Sequence, residues 1–392
     1  MKTPKKSVKI VSLTLISLLI GVLVGVYATG SSSIPTFSTG PYAGAPSYTV
    51  YTNNSWYFAK NAYGAIEHSG TNASYLVQTI ITETETKSIF FRSGDYYFDH
   101  GLTLKSGLIM SGEGSHAQRD LTNETYGTNF IYSGSGYFLS LLGTGALDGG
   151  YYLHNVYDVK LKDFRIISEV GNGVCGIYAD NCSRIEIHNV RVQNFTNILP
   201  SGFGGYGILI RRSWTAVEVT HCSLVMNCYG IALNESNLIY VGNCEITKNS
   251  KTGIALIAGN GNNIEGNNVE LNSEEGIWVK GGKNDHIYGN WISRSGNRGL
   301  YIANSASSPI STEYACVVEF NHFDDNNLVS GPSQLQIYSG IENVIMSNYF
   351  INADLSISIE TFACTTYIYY NPSYDTNYIS DSGANSTYCQ YV

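Results

Sequence analysis

Residues 262–282 read NNIEGNNVELNSEEGIWVKGG, and this stretch decides the fold of the 392-residue chain. Ile264, Val269 and Ile277 alternate with polar neighbours, which is the pattern of half-buried β-strands. Gly276 separates two of these short strands, where the backbone must take a positive φ or pass close to a neighbouring segment. The stretch therefore predicts short strands joined by tight turns.

The glycine recurs at a fixed spacing of 23 residues and each time opens an aliphatic-rich phrase: GILI, GIAL, GIAL, GIWV and GLYI. The five positions are Gly207, Gly230, Gly253, Gly276 and Gly299. Such short repeats, rich in Ile, Val, Tyr, Asn and Gly, indicate β-coils, because helical repeats are longer and need runs of helix formers. Each strand then pairs with its copy one repeat later, so we predict an all-β chain folded as a parallel β-helix.

A second column of residues supports the same repeat, just after the first strand of each coil. Its members are Asn267, Asn290, Asn321, Asn348 and Asn371, with Cys222 and Cys244 in the earlier coils. Stacked side-chain amides hydrogen-bond from coil to coil. We interpret the column as a structural ladder, and an asparagine-lined ligand site is the alternative.

The part of the chain ahead of the coils carries a resemblance to a known superfamily. Residues 59–81 read AKNAYGAIEHSGTNASYLVQTII, and the following strands include the phrase LTLKSGLIMSGEG. Together with the Asn-rich coils, this order resembles the pectate-lyase-like superfamily over roughly residues 59–372, and the coils also resemble those of NosD-like proteins. The resemblance implies a right-handed parallel β-helix whose open end is capped by a short amino-terminal helix.

The resemblance is specific for the fold and leaves the activity open, because this scaffold hosts lyases, hydrolases, epimerases, phage depolymerases and non-catalytic surface proteins. The Asn-Thr-Asp, Gly-His-Gly and Arg-x-Pro-x-x-Arg phrases of pectate lyases and polygalacturonases do not occur in the sequence. A NosD-like function would imply copper bound by His and Met, but the chain has only 4 Met. We therefore expect no copper site.

The amino terminus predicts a location outside the cytoplasm. Lys2, Lys5, Lys6 and Lys9 precede an uncharged stretch from Ile10 to Thr29, which is long enough to span a bilayer as a helix. We expect an uncleaved anchor on the outer face of the cell membrane; secretion after cleavage near Ala28 is the alternative. The predicted organisation is an anchor at 1–30, a Ser, Gly and Pro linker at 31–55, the β-helix with its cap at 56–372, and a carboxy-terminal cap or tail at 373–392.

An extracellular location would allow glycosylation and disulfide formation. The sequons expected to be modified are Asn53, Asn72, Asn123, Asn194, Asn234 and Asn385. A further sequon, Asn181, falls within a predicted strand, where modification is not expected. Cys364 and Cys389 are the one predicted disulfide pair, because that bond would tie the Tyr-rich tail to the last coil.

Composition limits the partners. The net charge is −9, with 22 Lys and Arg against 31 Asp and Glu, which argues against a nucleic-acid partner. The eight His are dispersed, without the spacing of metal ligands. We expect no required cofactor, a polysaccharide or cell-surface glycan as partner, and the membrane as a second partner through residues 1–30.

The residues just past one strand of successive coils are the candidates for catalysis: Lys248, Glu270, Arg294, Asp324 and Asp325. They are expected near one line on the outer surface, with Glu270 and Asp324 about 9.6 Å apart at the backbone. That pair would suit an inverting glycoside hydrolase. Alternatively, Asp324 and Asp325 would hold Ca²⁺ while Arg294 or Lys248 abstracts a proton beside a uronate, as in a lyase. The simplest alternative is a solvated row of alternating charges.

Outward aromatic residues are the candidates for carbohydrate binding. Trp278 and Tyr301 are expected in one column, and Trp291, His322 and Tyr349 in another. Exposed rings suit stacking against the C–H face of a sugar, although β-strand propensity alone also favours such residues.

Two longer turns, Asn194 to Tyr206 and Asn304 to Ala315, interrupt the regular coils. Insertions in solenoids project from one face and often shape a groove. The sequence thus favours a membrane-anchored extracellular protein that binds polysaccharide and has a lyase- or hydrolase-like site. The alternative is a non-catalytic adhesin, envelope component or partner-binding rod.

Overall fold

The structure is a computed structural model. It describes residues 45–115, 127–144, 147–148, 151–152, 156–303, 316–326, 328, 333–351, 355–364, 366–369, 371, 379–382 and 387–389. The predicted anchor at 1–30, the turn at 304–315 and the sequons Asn123 and Asn385 lie outside these residues. Within them, no helix has the length and apolar character needed to cross a membrane.

Most described strands belong to two large sheets in which equivalent strands of successive coils pair in parallel. The first sheet contains β1 (Tyr48–Asn53), β2 (Trp56–Asn61), β3 (Ile66–Gly70), β4 (Ser88–Phe91), β5 (Gly94–Phe98), β7 (Ile109–Gly112), β8 (Thr128–Tyr132), β12 (Val156–Ser168), β14 (Cys182–Gln193), β16 (Trp214–Thr220), β17 (Ser223–Val225), β19 (Asn237–Gly242), β20 (Glu245–Thr247), β22 (Asn263–Glu265), β23 (Asn268–Glu270), β25 (His286–Tyr288), β26 (Trp291–Ser293), β28 (Val317–Glu319), β29 (His322–Asp324), β31 (Val344–Met346), β32 (Tyr349–Ile351), β34 (Tyr367–Tyr369) and β36 (Thr387–Cys389). The second sheet contains β6 (Leu102–Thr103), β9 (Tyr137–Leu142), β13 (Cys175–Asp180), β15 (Tyr206–Arg211), β18 (Tyr229–Asn234), β21 (Ile254–Ile257), β24 (Ile277–Lys280), β27 (Leu300–Ala303), β30 (Leu335–Ile341), β33 (Ile357–Cys364) and β35 (Ile379–Asp381), and a separate hairpin joins β10 (Leu147–Asp148) to β11 (Tyr151–Tyr152). The predicted all-β parallel β-helix is confirmed.

One regular coil consists of three short strands, β22, β23 and β24, and the next coil repeats them as β25, β26 and β27. The pairing register equals the sequence repeat: Val269 lies opposite Ile292, and Ile277 opposite Leu300. The aliphatic residue of each strand points inward and is fully buried. These inward columns join in a core that extends from Tyr48 in the first strand to Ile368.

The repeating glycines allow the backbones of successive coils to approach each other closely. A Cβ on Gly230 would lie 2.6 Å from the carbonyl oxygen of Gly253, and one on Gly253 would lie 2.6 Å from that of Gly276. None of the five takes a positive φ. The positive φ falls instead on the turn residues that follow the short strands, such as Leu271 at 57°.

The open end of the solenoid is capped by an antiparallel meander and one helix, as the resemblance implied. Strands β1, β2 and β3 pair in sequence, and β1 also pairs in parallel with β4 of the first coil. The helix α1 spans Ala73–Thr82; the side chain of Asn72 caps it by accepting from the backbone N of Tyr75 at 2.8 Å. Its buried face, including Leu76 and Ile80, joins the main core.

The predicted asparagine ladder is confirmed, and Asn290 shows its contacts. Its Oδ1 accepts from the backbone N and from Nδ2 of Asn267, both at 2.9 Å. Its Nδ2 donates to the carbonyl oxygen of Ile264 at 2.8 Å and to Oδ1 of Asn321 at 2.9 Å. The earlier coils continue the column, since the backbone N of Cys244 donates to Oδ1 of Asn267 at 3.0 Å.

Two further inward ladders went unpredicted. One contains Asn227, Asn249 and Asn272. In the other, Asp285 replaces an amide: its Oδ1 accepts from the backbone N of Asn262 at 2.8 Å and from Nδ2 of Asn262 at 3.0 Å. Burial raises the pKa of Asp285 to about 6, although the hydrogen bonds from Asn262 act in the opposite direction.

The ends of the β-helix differ in detail from the predicted boundaries. Strand β1 lies inside the range 31–55 that was predicted as a linker, because its alternating apolar residues pack against β2 and β4. The predicted tail at 373–392 contributes β35 and β36, which pair in parallel with β33 and β34. The side chains of Cys364 and Cys389 lie outside the described part of the structure, so their disulfide stays a prediction.

Four predicted glycosylation sites fall on described residues. Asn53 and Asn72 are exposed in the amino-terminal cap, and Asn194 and Asn234 are half-buried in the coils. The side-chain amide of Asn194 donates to the carbonyl oxygen of Ser168 at 2.7 Å, and a glycan on that nitrogen would displace this contact. Asn181, for which no modification is expected, is buried.

Candidate functional site

The short strands β17, β20, β23, β26, β29 and β32 form one outer surface, which we call the site face. The central residue of each strand points into the core, so the first and third residues point outward. The first residues form the outward column Glu245, Asn268, Trp291, His322 and Tyr349. The third residues form the column Thr247, Glu270, Ser293, Asp324 and Ile351.

The five candidate catalytic residues lie on this face, but in two adjacent columns instead of the single line expected. Glu270 and Asp324 share the third-residue column, with the buried Ser293 between them. Lys248, Arg294 and Asp325 each lie one residue further along, in the turn, with φ of 57°, 52° and 51°. The chain bends at this left-handed position, which separates the two columns.

A cleft of about 90 Å³ lies within the site face. It is lined by Arg191, Val225, Met226, Glu245, Thr247, Lys248, Glu270 and Leu271. The structure therefore places Glu270 and Lys248 at one cleft, and Arg294, Asp324 and Asp325 are not among its lining residues. Arg191 and Glu245 complete the charged lining, and neither was predicted from the sequence.

Arg191 is held in place by a buried polar network. Its side chain is 5% exposed, and its Nε donates to Oε1 of Gln193 at 3.0 Å. Nη2 of Arg165 donates to the same oxygen at 3.0 Å. The strand register could have predicted the position of Arg191. It lies opposite Ser223, and Ser223 lies opposite Glu245 in the next coil.

The aromatic residues of the site face are stacked on one another along the column. The rings of Trp291 and His322 are 3.8 Å apart with an interplanar angle of 10°, and those of His322 and Tyr349 are 5.0 Å apart at 47°. His322 therefore covers one face of the Trp291 ring, and the opposite face is turned toward Asn268. Trp291 is 45% exposed, so the column presents one open indole face at its end instead of a series of platforms.

Burial lowers the pKa of His322, and the nearby negative charge of Asp324 opposes this effect. Its Nε2 is buried and, among the described residues, has no hydrogen-bond partner. The ring is therefore held mainly by stacking between Trp291 and Tyr349.

Trp278 and Tyr301 share a column, as predicted, but on the outer side of the second sheet. Lys280 lies over the ring of Trp278 at 5.1 Å, and Arg298 lies over that of Tyr301 at 4.3 Å. The Nε1 of Trp278 is buried, and its ring packs against a patch that includes Ala255. Cationic side chains therefore occupy ring faces that a sugar would need.

The turn from Asn194 to Tyr206 also packs on the second sheet. It is closed by a bridge between Ile198 and Gly204, and it brings Phe203 to 6.3 Å from Tyr137 and to 5.3 Å from Tyr206. Tyr206 in turn stacks on Tyr229 at 5.0 Å. This aromatic cluster was not predicted, because its members come from separate coils and from the insertion.

The described residues contain no group of three or more His, Cys, Asp and Glu side chains placed to hold a metal ion. The structure does not bring further acidic ligands to Asp324 and Asp325 in that part of the chain. A Ca²⁺ site at these two residues stays a prediction.

The family model described as right handed beta helix region matches residues 149–314 and 206–364, which together span more than half of the chain. No curated protein matches the chain.

Several solved structures are similar to this fold. DFA-IIIase from Arthrobacter chlorophenolicus A6, in complex with GF2, is 13% identical over 80% of this chain and 89% of that chain, with a TM-score of 0.58. The A-module of a mannuronan C-5 epimerase from Azotobacter vinelandii is 13% identical over 82% and 94%, with a TM-score of 0.51. PfbA, a surface adhesin of Streptococcus pneumoniae, is 14% identical over 81% and 88%, with a TM-score of 0.52. At these identities the likeness shows the fold alone.

Proposed function

This chain belongs to the right-handed β-helix family, and we propose that it binds a polysaccharide on its site face, outside the cell. The observation that carries the proposal is the open face of Trp291. It lies at the end of a stacked aromatic column and is turned toward Asn268, next to a cleft that contains Glu245 and Glu270. An indole face suits the C–H surface of a sugar, and neighbouring polar groups suit its hydroxyls.

The extracellular location is supported by the sequence of the amino terminus. Four lysines followed by an uncharged stretch of membrane-spanning length favour an anchor at 1–30, with secretion after cleavage near Ala28 as the alternative. Separation of membranes from medium, followed by detection of the carboxy terminus, distinguishes the two. Protein in the cytosol alone would contradict both.

The binding proposal is tested on the full chain with a panel of neutral and uronic glycans, including xylan, mannan, polygalacturonate and alginate. We expect at least one of them to bind, and a Trp291→Ala variant to bind it about tenfold more weakly or worse, in the range of a lost stacking contact. Trp56→Ala is the matched control, because Trp56 is 49% exposed but lies in the amino-terminal meander. Equal affinities of the Trp291→Ala variant and the parent would contradict the proposal.

A non-catalytic adhesin or envelope component is the second candidate, because a surface adhesin also has this fold. Such a protein would bind the glycan without cleaving it. Glycan binding without any shortening of the polymer would favour this candidate over a lyase or a hydrolase.

A further inference from the structure

We propose that the cleft beside Trp291 hydrolyses a glycosidic bond, with Glu245 and Glu270 as its two carboxyl groups. The inference rests on the proposed polysaccharide binding and assigns a reaction and a residue pair to the same face. It replaces Asp324, the partner expected for Glu270, with Glu245.

The sheet register places the two carboxyl groups as diagonal neighbours. Glu245 stands opposite Asn268 in the adjacent coil, and Glu270 is two residues beyond Asn268 on the same strand. A strand separation of about 4.8 Å and a rise of about 3.3 Å per residue put their Cα atoms roughly 8 Å apart. Both residues line the same cleft. Inverting glycosidases hold their two carboxyl groups about 6.5–9.5 Å apart, a separation that glutamate side chains on Cα atoms at this spacing can reach.

Trp291 lies beside the cleft and not in its lining, one coil beyond the strand that carries Glu270. Trp291 and Glu245 belong to one column, two coils apart with Asn268 between them, which is about 9.6 Å at the backbone. A ring stacked on the open indole face would lie above Asn268, which supplies an amide at its edge. Glu270 would then flank that ring, and Glu245 would lie beyond it.

The cleft also has room for the attacking water. Its volume of about 90 Å³ exceeds the roughly 30 Å³ that one water occupies in the liquid. In the proposed step, one carboxyl group gives its proton to the glycosidic oxygen as the bond from that oxygen to the anomeric carbon breaks. The other carboxylate takes a proton from water, whose oxygen bonds to the same carbon from the opposite side. The two glutamates exchange their proton states, and the net reaction consumes one water.

Two cations give the cleft an approximate charge balance. Lys248 lies next to Glu270 across the coil, since its backbone N donates to the carbonyl oxygen of Glu270 at 3.2 Å. Arg191 lines the opposite end and is fixed by Gln193. These cations can position a carboxylate or a sugar hydroxyl, and we assign them to positioning, not to proton transfer. Asp324 is separated from Glu270 by Ser293 and lies outside the cleft lining.

The test uses the full chain and the glycan that binds most tightly in the panel, with reducing ends and anomeric configuration followed by NMR. We expect new reducing ends with inverted configuration. Glu245→Gln and Glu270→Gln should each lower the rate by about 10²–10⁴-fold while retaining glycan affinity within about threefold. Glu265→Gln, on strand β22 of the same coil, and Asp324→Asn should keep the rate within about threefold.

The possible failures are distinguishable. A glycan that binds at Trp291 but releases no reducing ends overturns hydrolysis and leaves the binding proposal intact. Full activity in Glu245→Gln overturns the assigned pair, and a loss in Asp324→Asn instead would restore the pair of Glu270 and Asp324. Absence of binding to every glycan overturns both proposals. Loss of binding as well as rate in the Gln variants, with unchanged melting temperature, would assign the glutamates to binding and overturn their acid–base role.

Discussion

The interior ladders and the site face are built from the same coil-to-coil register, yet they differ in how strictly that register determines contacts. In the ladder, Asn290 is buried, and four hydrogen bonds fix its amide. On the site face, Trp291 follows Asn290 directly, but its neighbours leave one indole face open. Burial restricts the ladder amide to one set of hydrogen bonds, whereas the exposed ring of Trp291 keeps one face available for contact with a ligand.

The strongest contrast in stability is expected between a ladder residue and a site-face residue in the neighbouring coil. Asn290→Ala removes the side chain that accepts two hydrogen bonds from Asn267 and leaves buried polar groups unsatisfied, which should destabilise the protein by about 3 kcal/mol or more. Asn268→Ala, whose side chain points outward, should change stability by less than about 0.5 kcal/mol. Thermal or urea unfolding measures both. Equal effects would mean that the ladder contributes no more than the surface.

Asp285 is the position where a ladder carries a titratable group. Its pKa in the folded state is about 6, above the value of about 3.9 for an unfolded chain, so its contribution to stability is present below pH 4 and is lost as the pH rises through 6. Asp285→Asn should therefore raise stability by about 3 kcal/mol at pH 7 and have a much smaller effect at pH 4.

The side-chain amide introduced by Asp285→Asn has a backbone carbonyl oxygen in the ladder to which it can donate. Nδ2 of Asn262 donates to the carbonyl oxygen of Ser236 at 3.2 Å, 26 residues earlier, and the equivalent carbonyl for residue 285 is that of Gly259. Melting temperatures of parent and variant from pH 4 to pH 8 provide the test. A pH dependence that is identical in the two proteins would refute this account of Asp285.

The site face and the outer side of the second sheet differ in how tightly their tryptophan residues are packed. Trp278→Ala should lower stability by about 2 kcal/mol, because the ring packs against Ala255 and is covered by Lys280, but it should leave glycan affinity within about twofold. Trp291→Ala should do the reverse, with lower affinity and little change in stability. If Trp278→Ala abolished binding, the glycan site would have to be moved to the second sheet.

The smallest expected effect concerns His322. Its folded-state pKa is lowered by burial, so stability should be lost as the pH falls and the unfolded chain takes up the proton more readily. His322→Phe keeps a ring between Trp291 and Tyr349 and should remove a small part of that acid sensitivity, seen as a shift of a few degrees or less in melting temperature at pH 5. Glycan affinity at pH 7 should stay within about twofold.

The fold could be predicted from the sequence because inward residues repeat with the coil. The glycine phrases and the column from Asn267 to Asn348 are fixed by burial, which permits few residue types. The ladder containing Asp285 was missed because an aspartate within an amide column breaks the pattern that reveals it.

The site could be predicted only in part. The register correctly aligned Glu270 with Asp324 and Trp291 with His322. It could not show that Lys248 and Arg294 lie in the turn, that Arg191 and Glu245 share a cleft with Glu270, or that Lys280 covers Trp278. Those features depend on where the backbone bends and where long side chains extend, and neither is periodic in the sequence.

We expect glycan to bind on the open face of Trp291. The most direct test is a crystal structure of the protein with a short oligosaccharide of the glycan that binds most tightly in the panel. We expect one sugar ring stacked on the indole of Trp291, above Asn268 and beside Glu270. A sugar on the second sheet near Trp278 and Tyr301, with the face of Trp291 left empty, would contradict it.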